Sequence, residues 1–162
     1  MSQKLLLSYK RAIDCPIEVL AEEILCLAER VSQQPQIRYR IKDADTLAKK
    51  MILKSAKSIF DIHDVYGFRV LTLSTEEAYA VQHKLIEAFG ASIGHDYIAK
   101  PKTRPDKPHL DGKSLRLLQV IAYRNRVSFE IQITTFSFNE MNESLHDEYH
   151  REKYANLEGG DI

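Results

Sequence analysis

The sequence contains little cysteine, no excess of charge of either sign and no long apolar run. Cys15 and Cys26 are the only cysteines among the 162 residues, and they lack the C-x-x-C spacing of metal and redox sites, so we expect two small buried thiols. Lysine and arginine together number 23, as do aspartate and glutamate, so the bulk charge predicts no nucleic-acid partner. No apolar run approaches the ~20 residues that a membrane span needs. We therefore expect a cytoplasmic protein in which any anion-binding site is local.

The length and the 44% hydrophobic content are those of a single globular domain with a sizeable core. The expected parts are an N-terminal helical segment over residues 1–35, a core that carries the functional site over residues 36–150, and a C-terminal tail over residues 151–162. The apolar run near the N-terminus ends at Ser8, which is far too short for a signal core. We expect no cleavable leader.

A cationic strand is predicted after the first helix. The periodic segment over residues 16–33 predicts an amphipathic helix, which Pro35 ends. The residues that follow alternate between apolar and basic side chains: Ile37, Arg38, Tyr39, Arg40, Ile41 and Lys42. This period of two places three cations on one face of a strand. Two interpretations carry equal weight: an anion-binding face, and a solvated edge strand whose cations deter aggregation.

The next helix begins directly after the cationic strand. Asp43 or Asp45 can cap it. Its expected buried stripe is Leu47, Met51 and Ile52. Thr46 and Lys50 are polar, and we expect a lysine about one turn into the helix. Amide groups at a helix N-terminus bind phosphate oxygens in many proteins, so this junction is a candidate phosphate site.

The stretch from Asp61 to Leu71 combines an acidic turn, a glycine and a β-rich run. It predicts a buried strand with Asp64 at its start and Arg69 within it. A second run, from Val127 to Thr134, alternates apolar and polar residues and carries Glu130. If the two runs are neighbours in one sheet, Asp64 and Glu130 face one pocket and can share a divalent cation, because hard cations prefer carboxylate oxygens.

Two further patterns predict scaffold elements. Ser74 and Glu77 have the spacing of a capping box, and a helical pattern continues from them until Gly90. Leu115 to Tyr123 and Val127 to Thr134 predict the two strands of an antiparallel hairpin. These elements are expected to build the core around the site.

Between residues 91 and 113 the periodic pattern weakens into a charged, proline-rich loop. The loop and its flanks hold the one marked concentration of cations: Lys100, Lys102, Arg104, Lys107, Lys113 and Arg116. Long loops inside a compact domain are typically functional or mobile. The segment is therefore either a clamp for substrate phosphates or a solvated loop.

The last periodic segment, from Asn139 to Leu157, predicts a polar helix. Glu143, His146 and His150 share one of its faces, but the sequence around them is not H-E-x-x-H. We expect two solvated histidines that bind no zinc.

Taken together, these residues resemble the synthetase domain of the RelA/SpoT family, which includes the small alarmone synthetases. The matching segments are Arg40-Ile41-Lys42, Asp45-Thr46-Leu47 with Lys50, Asp64-Val65-Tyr66-Gly67-Phe68-Arg69-Val70, Asp96-Tyr97-Ile98 with Pro101-Lys102, Ser114-Leu115, and Glu130-Ile131-Gln132-Ile133 with Thr135. Each piece is short, but their shared order over roughly residues 36–150 is specific. The resemblance implies an α+β fold with a nucleotidyltransferase-like mixed β-sheet flanked by helices. It also implies transfer of the β,γ-diphosphate of ATP to the 3′-hydroxyl of an acceptor nucleotide, without a hydrolase or regulatory domain.

The resemblance implies a role for each matching residue. Those assigned to ATP are Arg40 and Arg69, which would sandwich the adenine, and Lys42, Thr46 and Lys50, which would hold the phosphates. Asp64 and Glu130 would be the catalytic residues and would hold Mg²⁺. Glu130 would also take the proton from the attacking hydroxyl. The residues expected to bind the acceptor are Tyr97, Lys100, Lys102, His109, Lys113, Arg116 and Gln132.

Three departures from the family pattern lie around the presumed acceptor pocket. The family's usual Gly-Tyr-(Arg/Lys)-Ser-Leu-His corresponds here to Asp111-Gly112-Lys113-Ser114-Leu115-Arg116. Gly112 therefore replaces the tyrosine that stacks on guanine in the family, and Arg116 replaces the histidine. The usual Glu-Ile-Gln-Ile-Arg-Thr has Thr134 in place of arginine. Tyr97 or His109 could replace the missing ring. The identity of the acceptor therefore stays open.

Three activities are compatible with this pattern. An alarmone synthetase would use GDP or GTP as acceptor. A toxin-type relative would modify adenosine nucleotides or the 3′ end of tRNA, and it would have an antitoxin or immunity partner. A non-catalytic relative would bind nucleotides without transferring diphosphate. In each case a homo-oligomer is compatible with the sequence, and no membrane partner is expected.

Overall fold

A computed structural model describes residues 2–100 and 116–141, which form an α+β fold around one mixed sheet. The elements are α1 (Ser2–Ile13), α2 (Ile17–Glu29), β1 (Gln36–Ile41), α3 (Ala44–Leu53), a 3-10 turn (Ile59–Asp61), β2 (Tyr66–Thr72), α4 (Thr75–Phe89), β3 (Ser92–Asp96), β4 (Leu118–Arg124) and β5 (Val127–Thr135). Residues 136–141 are helical. The strand order is β1-β2-β5-β4-β3. The central pair, β2 and β5, is parallel, and the other pairs are antiparallel.

The two faces of the sheet differ in chemistry because successive side chains of a strand point to opposite sides. One face is apolar and packs against α2 and α4. Its fully buried strand residues include Val70, Val120, Ala122, Phe129, Ile131 and Ile133, and the helices contribute Leu20, Ile24, Val81 and Leu85. The opposite face, called the polar face below, carries Arg38, Arg40, Gly67, Arg69, Gln119, Glu130 and Gln132. The core therefore lies on one side of the sheet and the candidate site on the other.

Helix α1 packs where the parallel strands β2 and β5 begin. Tyr9 of α1 is fully buried, and its hydroxyl donates a hydrogen bond of 2.6 Å to the backbone oxygen of Ser128. Its ring meets that of Tyr66 edge to face, with centroids 5.1 Å apart. The side-chain amide of Asn125 donates to the backbone oxygen of Ile13 at 2.6 Å. These contacts tie the N-terminal helix to the sheet.

Local sequence signals explain several element boundaries. The Asp43 and Ser74 side chains cap α3 and α4, each by accepting an N–H bond from the third residue that follows. Gly90 ends α4 with a positive φ of 59°, a conformation that suits glycine. Asn125 and Arg126 both have positive φ and close the hairpin of β4 and β5, as a two-residue turn of type I′ requires.

The structure confirms the predicted fold class and the hairpin, and it corrects four local expectations. The first long helix ends at Glu29 rather than at residue 33. Ile52, expected in a buried stripe, is 67% exposed. The expected buried thiols are wrong, since Cys15 is partly exposed and Cys26 is exposed. The segment after residue 91, interpreted as irregular, begins with β3.

The last predicted helix is described over residues 136–141 alone, so its first turn lies before the expected start at Asn139. In the part of the chain that the structure describes, no helix is both long enough and apolar enough to span a membrane.

Candidate active site

The polar face brings residues of four strands together in two rows, and three of these strands carry predicted site residues. In the first row, Arg40 of β1 lies opposite Gly67 of β2, which lies opposite Glu130 of β5. The second row, across β1, β2, β5 and β4, is Arg38, Arg69, Gln132 and Gln119. Because opposite residues on neighbouring strands share a face of the sheet, the arginines, the carboxylate and the two amides line one surface.

Asp64 lies in the turn before β2 and is held by two lysines. Its Oδ2 is 3.1 Å from Nζ of Lys42, which directly follows β1, and its Oδ1 is 2.7 Å from Nζ of Lys50 on α3. The Lys42 side chain is 3% exposed, and the side chains of Asp64 and Lys50 are each 15% exposed. Ion pairs with so little exposure are screened less by salt than surface pairs are. Three residues that the sequence proposed separately thus form one cluster.

The charges of this cluster determine its ionisation. Burial raises the pKa of the Asp64 carboxyl, but the charges of Lys50 and Lys42 outweigh burial and lower the pKa to about 2. Burial lowers the pKa of Lys42, and the charge of Asp64 opposes that change. Asp64 is therefore ionised at neutral pH. With both lysines protonated, two positive charges and one negative charge leave the cluster cationic, which favours an anionic ligand.

The N-terminus of α3 lies beside the cluster and is capped by Asp43. The Oδ1 of Asp43 accepts the Thr46 N–H at 2.9 Å, and its Oδ2 accepts the Thr46 hydroxyl at 2.7 Å. These hydrogen bonds from Thr46 lower the pKa of Asp43. Thr46 would therefore have to exchange its hydroxyl partner in order to bind a phosphate oxygen.

A chain of hydrogen bonds joins Arg69 of the second row to Glu130 of the first row. Arg69 Nε and Nη2 donate to Gln132 Oε1 at 2.9 and 2.8 Å, and Arg69 Nη1 donates to Asn139 Oδ1 at 2.9 Å. Gln132 Nε2 then donates to Glu130 Oε1 at 2.8 Å. Because arginine has only donors and a carboxylate has only acceptors, the orientation of the Gln132 amide follows from its neighbours. One side chain thus links Arg69 to Glu130.

Gly67 leaves a shallow space on the polar face between Arg40 and Arg69. A Cβ at Gly67 would meet the backbone oxygen of Arg40 at 3.9 Å, which is ordinary contact, so the glycine is not required by packing there. Arg40 is exposed, and Arg69 is half-buried. Planar guanidinium groups stack on aromatic rings. Both arginines therefore have the chemistry to stack on a flat ring.

On the far side of Glu130, Tyr97 follows β3 and stacks on His95. The two ring centroids are 4.8 Å apart, and the ring planes differ by 11°. Burial and the charge of Glu130 raise the pKa of Tyr97, so its phenol lies near that carboxylate. Asp96 accepts two backbone N–H bonds from the turn that follows, and Lys100 is exposed at the end of this turn. The local turn thus sets the direction of Tyr97.

Two residues that depart from the family pattern contact each other. Thr134 is fully buried, and its hydroxyl donates to the backbone oxygen of Arg116 at 2.7 Å. The Arg116 guanidinium lies 5.5 Å from the ring centroid of Phe138. Thr134 therefore fixes the backbone of Arg116, whose side chain packs on the helix of residues 136–141.

The carboxylates Asp64 and Glu130 have the chemistry that Mg²⁺ prefers, and each has a free lone pair beside its present partners. Both oxygens of Asp64 face lysine ammonium groups, so a cation would be accommodated there once an anion such as a triphosphate attracts the lysines. Among residues 2–100 and 116–141, no three histidine, cysteine, aspartate or glutamate side chains are grouped to hold a metal ion. A bound Mg²⁺ would complete its shell with water and phosphate oxygens.

Several sequence predictions fall outside the described residues. They concern Lys102, His109 and Lys113 as acceptor ligands, Gly112 as the site of the missing ring, and His146 and His150 as solvated histidines. Their roles stay predictions.

The sequence interpretation missed two residues that contact the site. Gln119 donates to Glu130, and Asn139 accepts from Arg69. The alternation of residues 118–122 could have placed Gln119 on the polar face, since Leu118 and its alternate neighbours point to the core. No local pattern reveals the contact of Asn139, because it depends on how residues 136–141 pack.

Comparison with known families gives one match. Residues 39–155 match the model of a family described as a region found in RelA / SpoT proteins. No curated protein gives a significant match to the sequence.

The fold is also similar to solved structures of small alarmone synthetases from Bacillus subtilis. Small alarmone synthetase 2 is 24% identical with a TM-score of 0.62, and the match covers 92% of this chain and 80% of that one. Small alarmone synthetase 1 bound to its product pppGpp is 20% identical, with a TM-score of 0.64 and coverage of 93% and 82%. The same protein bound to AMPCPP is 17% identical, with a TM-score of 0.57 and coverage of 95% and 79%. At these identities the similarity establishes a shared fold.

Proposed function

Since the chain belongs to the RelA/SpoT family, we propose that it is an ATP-dependent nucleotide pyrophosphokinase, similar to (p)ppGpp synthetases. In this reaction the 3′-hydroxyl oxygen of the acceptor bonds to the β-phosphorus of ATP. The bond from that phosphorus to the α,β-bridging oxygen breaks, and AMP leaves. The observation that carries the proposal is the cationic cluster of Lys42, Lys50 and Asp64, which suits a triphosphate. The Glu130 carboxylate on the polar face suits a proton acceptor.

The lysines of the cluster are the proposed ligands of the ATP phosphates. A triphosphate that approaches Lys42 and Lys50 replaces one carboxylate with several phosphate oxygens as their partners. Lysine acts as a compact point charge toward phosphate, so this exchange needs no fixed bidentate geometry. Released from the lysines, Asp64 becomes available to a cation that accompanies the nucleotide.

The adenine ring is proposed to lie over Gly67, between Arg40 and Arg69. The absence of a side chain at Gly67 leaves room for a flat ring, and guanidinium groups stack on aromatic surfaces. Arg69 is already held by Gln132 and Asn139, so little side-chain entropy is lost when it meets the ring.

Glu130 is proposed to accept the proton of the attacking 3′-hydroxyl. It lies opposite Gly67, next to the space assigned to adenine, and both its oxygens are oriented by hydrogen bonds. A general base must come within hydrogen-bond reach of the proton it removes, and a fixed carboxylate meets this condition more often than a freely rotating one. When Mg²⁺ is bound at Asp64 and Glu130, it would neutralise charge that builds up on the transferred diphosphate.

The acceptor is proposed to bind on the side of Tyr97, where aromatic and basic residues flank Glu130. Tyr97 with His95 offers a ring surface, and Lys100 with Arg116 offers positive charge. The solved relatives bound to pppGpp and to AMPCPP make a guanine acceptor and an ATP donor the leading assignment. The departures at Arg116 and Thr134 keep a toxin-type acceptor, an adenosine nucleotide or a tRNA 3′ end, as the second candidate.

Incubation of the purified protein with ATP, Mg²⁺ and a panel of acceptors tests the proposal. We expect AMP and a pyrophosphorylated acceptor to form in equal amounts, measured by chromatography and mass spectrometry. The control is the Glu130→Gln variant at the same concentration. If ATP binds but no acceptor yields AMP above that control, the protein is a nucleotide-binding relative without catalytic activity.

A further inference from the structure

Both oxygens of Glu130 are held by side-chain amides. Gln132 Nε2 donates to Oε1 at 2.8 Å, and Gln119 Nε2 donates to Oε2 at 2.8 Å. Gln132 comes from the same strand as Glu130, and Gln119 comes from β4, where it pairs with Gln132 across the sheet. The carboxylate therefore has one donor along its own strand and one from the neighbouring strand.

We propose that Gln119 is a positioning residue for the reaction, and this inference rests on the proposed function of Glu130 as proton acceptor. A carboxylate with one donor can still rotate about its last bond, whereas donors on both oxygens define its plane. Small errors in the placement of a reacting group reduce rate steeply, by up to about a hundredfold for ~1 Å. Gln119 removes this freedom.

Neutral amides suit this task better than cations would. An arginine or lysine beside Glu130 would form a strong ion pair and would compete with the acceptor hydroxyl and with a metal ion for the carboxylate. Each amide uses one lone pair of an oxygen and leaves the other available. Gln119 and Gln132 thus orient Glu130 without neutralising it.

Gly94 on β3 makes room for the Gln119 side chain. A Cβ at Gly94 would lie 2.5 Å from Gln119 Oε1, 3.0 Å from its Cδ and 3.1 Å from its Cγ. The pairing of β3 and β4 shifts register between Ile93 and His95, so Gly94 lies at a bulge. Gly94 does not have positive φ, so alanine is compatible with its backbone. A substitution at Gly94 therefore moves Gln119 without changing it.

The first test measures the contact independently of activity. A double-mutant cycle by urea unfolding compares four proteins: wild type, Gln119→Ala, Glu130→Ala and the double variant. We expect the double variant to shift the midpoint by clearly less than the sum of the single shifts, because either change alone already breaks the contact. The control is Gln36→Ala, which changes an exposed glutamine of β1. Its shift of the unfolding midpoint should add to that of Glu130→Ala.

The second test measures turnover. We expect Gln119→Ala to lower kcat about tenfold to a hundredfold and to change KM for ATP by less than about twofold, because its bonded partner is Glu130 and not a proposed ATP ligand. Gly94→Ala should lower kcat in the wild-type background and should have almost no further effect in the Gln119→Ala background. The Gln36→Ala control should keep its kcat.

The outcomes separate this inference from the proposed function. Active wild type with an unchanged kcat in Gln119→Ala would overturn the positioning role alone. So would a Gly94→Ala effect of equal size in both backgrounds, since it would then come from distortion of the bulge. Additive unfolding shifts would refute the contact itself. Wild type without AMP formation on any acceptor would overturn the positioning role together with the proposed function.

Discussion

The two carboxylates Asp64 and Glu130 have different partners, lysines for Asp64 and glutamines for Glu130, and therefore different expected roles. Glu130→Gln keeps the size of the side chain and removes the proton acceptor, so turnover should fall about 10²–10⁴-fold while ATP binding changes little. Asp64→Asn should also remove most turnover, because a neutral amide is a weaker ligand for Mg²⁺. Steady-state AMP formation and binding of a fluorescent ATP analogue provide the two readouts. Near-native turnover in Asp64→Asn would contradict its metal role.

The lysines that hold Asp64 should contribute to ATP affinity. Lys42→Ala removes a nearly fully buried ammonium group of the cluster, so we expect ATP binding to weaken by about tenfold or more. Lys54→Ala is the matched control, because Lys54 is an exposed lysine at the end of α3. Titration of both variants with the fluorescent analogue distinguishes them. Equal affinities would place the phosphates elsewhere.

The pKa of Asp64 makes the fold sensitive to acid. It is lowered from 3.8 to about 2 in the folded protein. A carboxyl with a lower pKa in the folded state stabilises the fold above its unfolded pKa, and this stabilisation is lost as the pH falls through the folded pKa. The difference corresponds to about 2 kcal/mol at neutral pH, lost mainly between about pH 5 and pH 2. As the pH is lowered, the free energy of unfolding should therefore decrease less in the Asp64→Asn variant than in wild type. Asp45→Asn, at an exposed position of α3, should decline like wild type.

At the scale of elements, one buried hydroxyl contributes to the docking of α1 on the sheet. The Tyr9 hydroxyl bonds the Ser128 backbone oxygen at 2.6 Å, at the start of β5, and burial raises the Tyr9 pKa. Tyr9→Phe keeps the ring and leaves a buried carbonyl without this donor, so the free energy of unfolding should fall by about 1–3 kcal/mol. Tyr123→Phe, at an exposed position, is the control. Urea unfolding checks both, and equal stabilities would show that water satisfies the carbonyl.

The same helix contact has a functional consequence. Ser128 is the second residue of the strand that carries Glu130 two residues later, and the Ser128 hydroxyl is 2.9 Å from Nδ1 of His63, in the turn that carries Asp64. The starts of β2 and β5 are thus bonded to each other and to α1. We infer that α1 helps to keep both carboxylate-bearing segments in register.

At the scale of the whole molecule, acidic and basic residues are equal in number, so the net charge does not attract nucleic acid. Any affinity for nucleic acid must therefore come from local basic patches. Competition among GDP, GTP, ADP, ATP and deacylated tRNA at rising salt should identify the acceptor. Binding that falls steeply with salt for tRNA would indicate a toxin-type enzyme, because each neutralised phosphate contributes to the salt dependence. A weak salt response with preference for GDP or GTP would indicate an alarmone synthetase.

The charged, proline-rich loop predicted between residues 91 and 113 provides a variant to compare with wild type in this competition. Replacing Lys102, Arg104 and Lys113 together by alanine should weaken the preferred acceptor and spare ATP binding, if the loop clamps acceptor phosphates. A strong preference for GDP that survives this change would show that the loop is solvated. Gly112→Tyr should then raise guanine affinity about ten- to a hundredfold, because a base stack contributes ~1–3 kcal/mol.

The sequence alone determined those features that depend on neighbouring residues. The alternation around Arg40 predicted a cationic strand, the spacing of Ser74 and Glu77 predicted a helix start, and Gly90 predicted its end. Such patterns are local. The side chains of a strand alternate between its two faces from one residue to the next, and a helix cap involves the residues of one turn. The motif order was likewise sufficient for the family. The exposure of Ile52 was missed because no local pattern states whether a neighbouring element covers that side of α3.

Only the tertiary structure decided which of these residues meet. The parallel pairing of β2 with β5 brings Arg69 beside Gln132, although the two residues are 63 positions apart along the chain. Helix α3 brings Lys50 to Asp64. Pairing partners of this kind are set by the burial of the whole apolar face, which no short segment encodes. The same holds for Gln119: its alternation places it on a face, but its contact with Glu130 exists because β4 packs beside β5 and Gly94 leaves the space open.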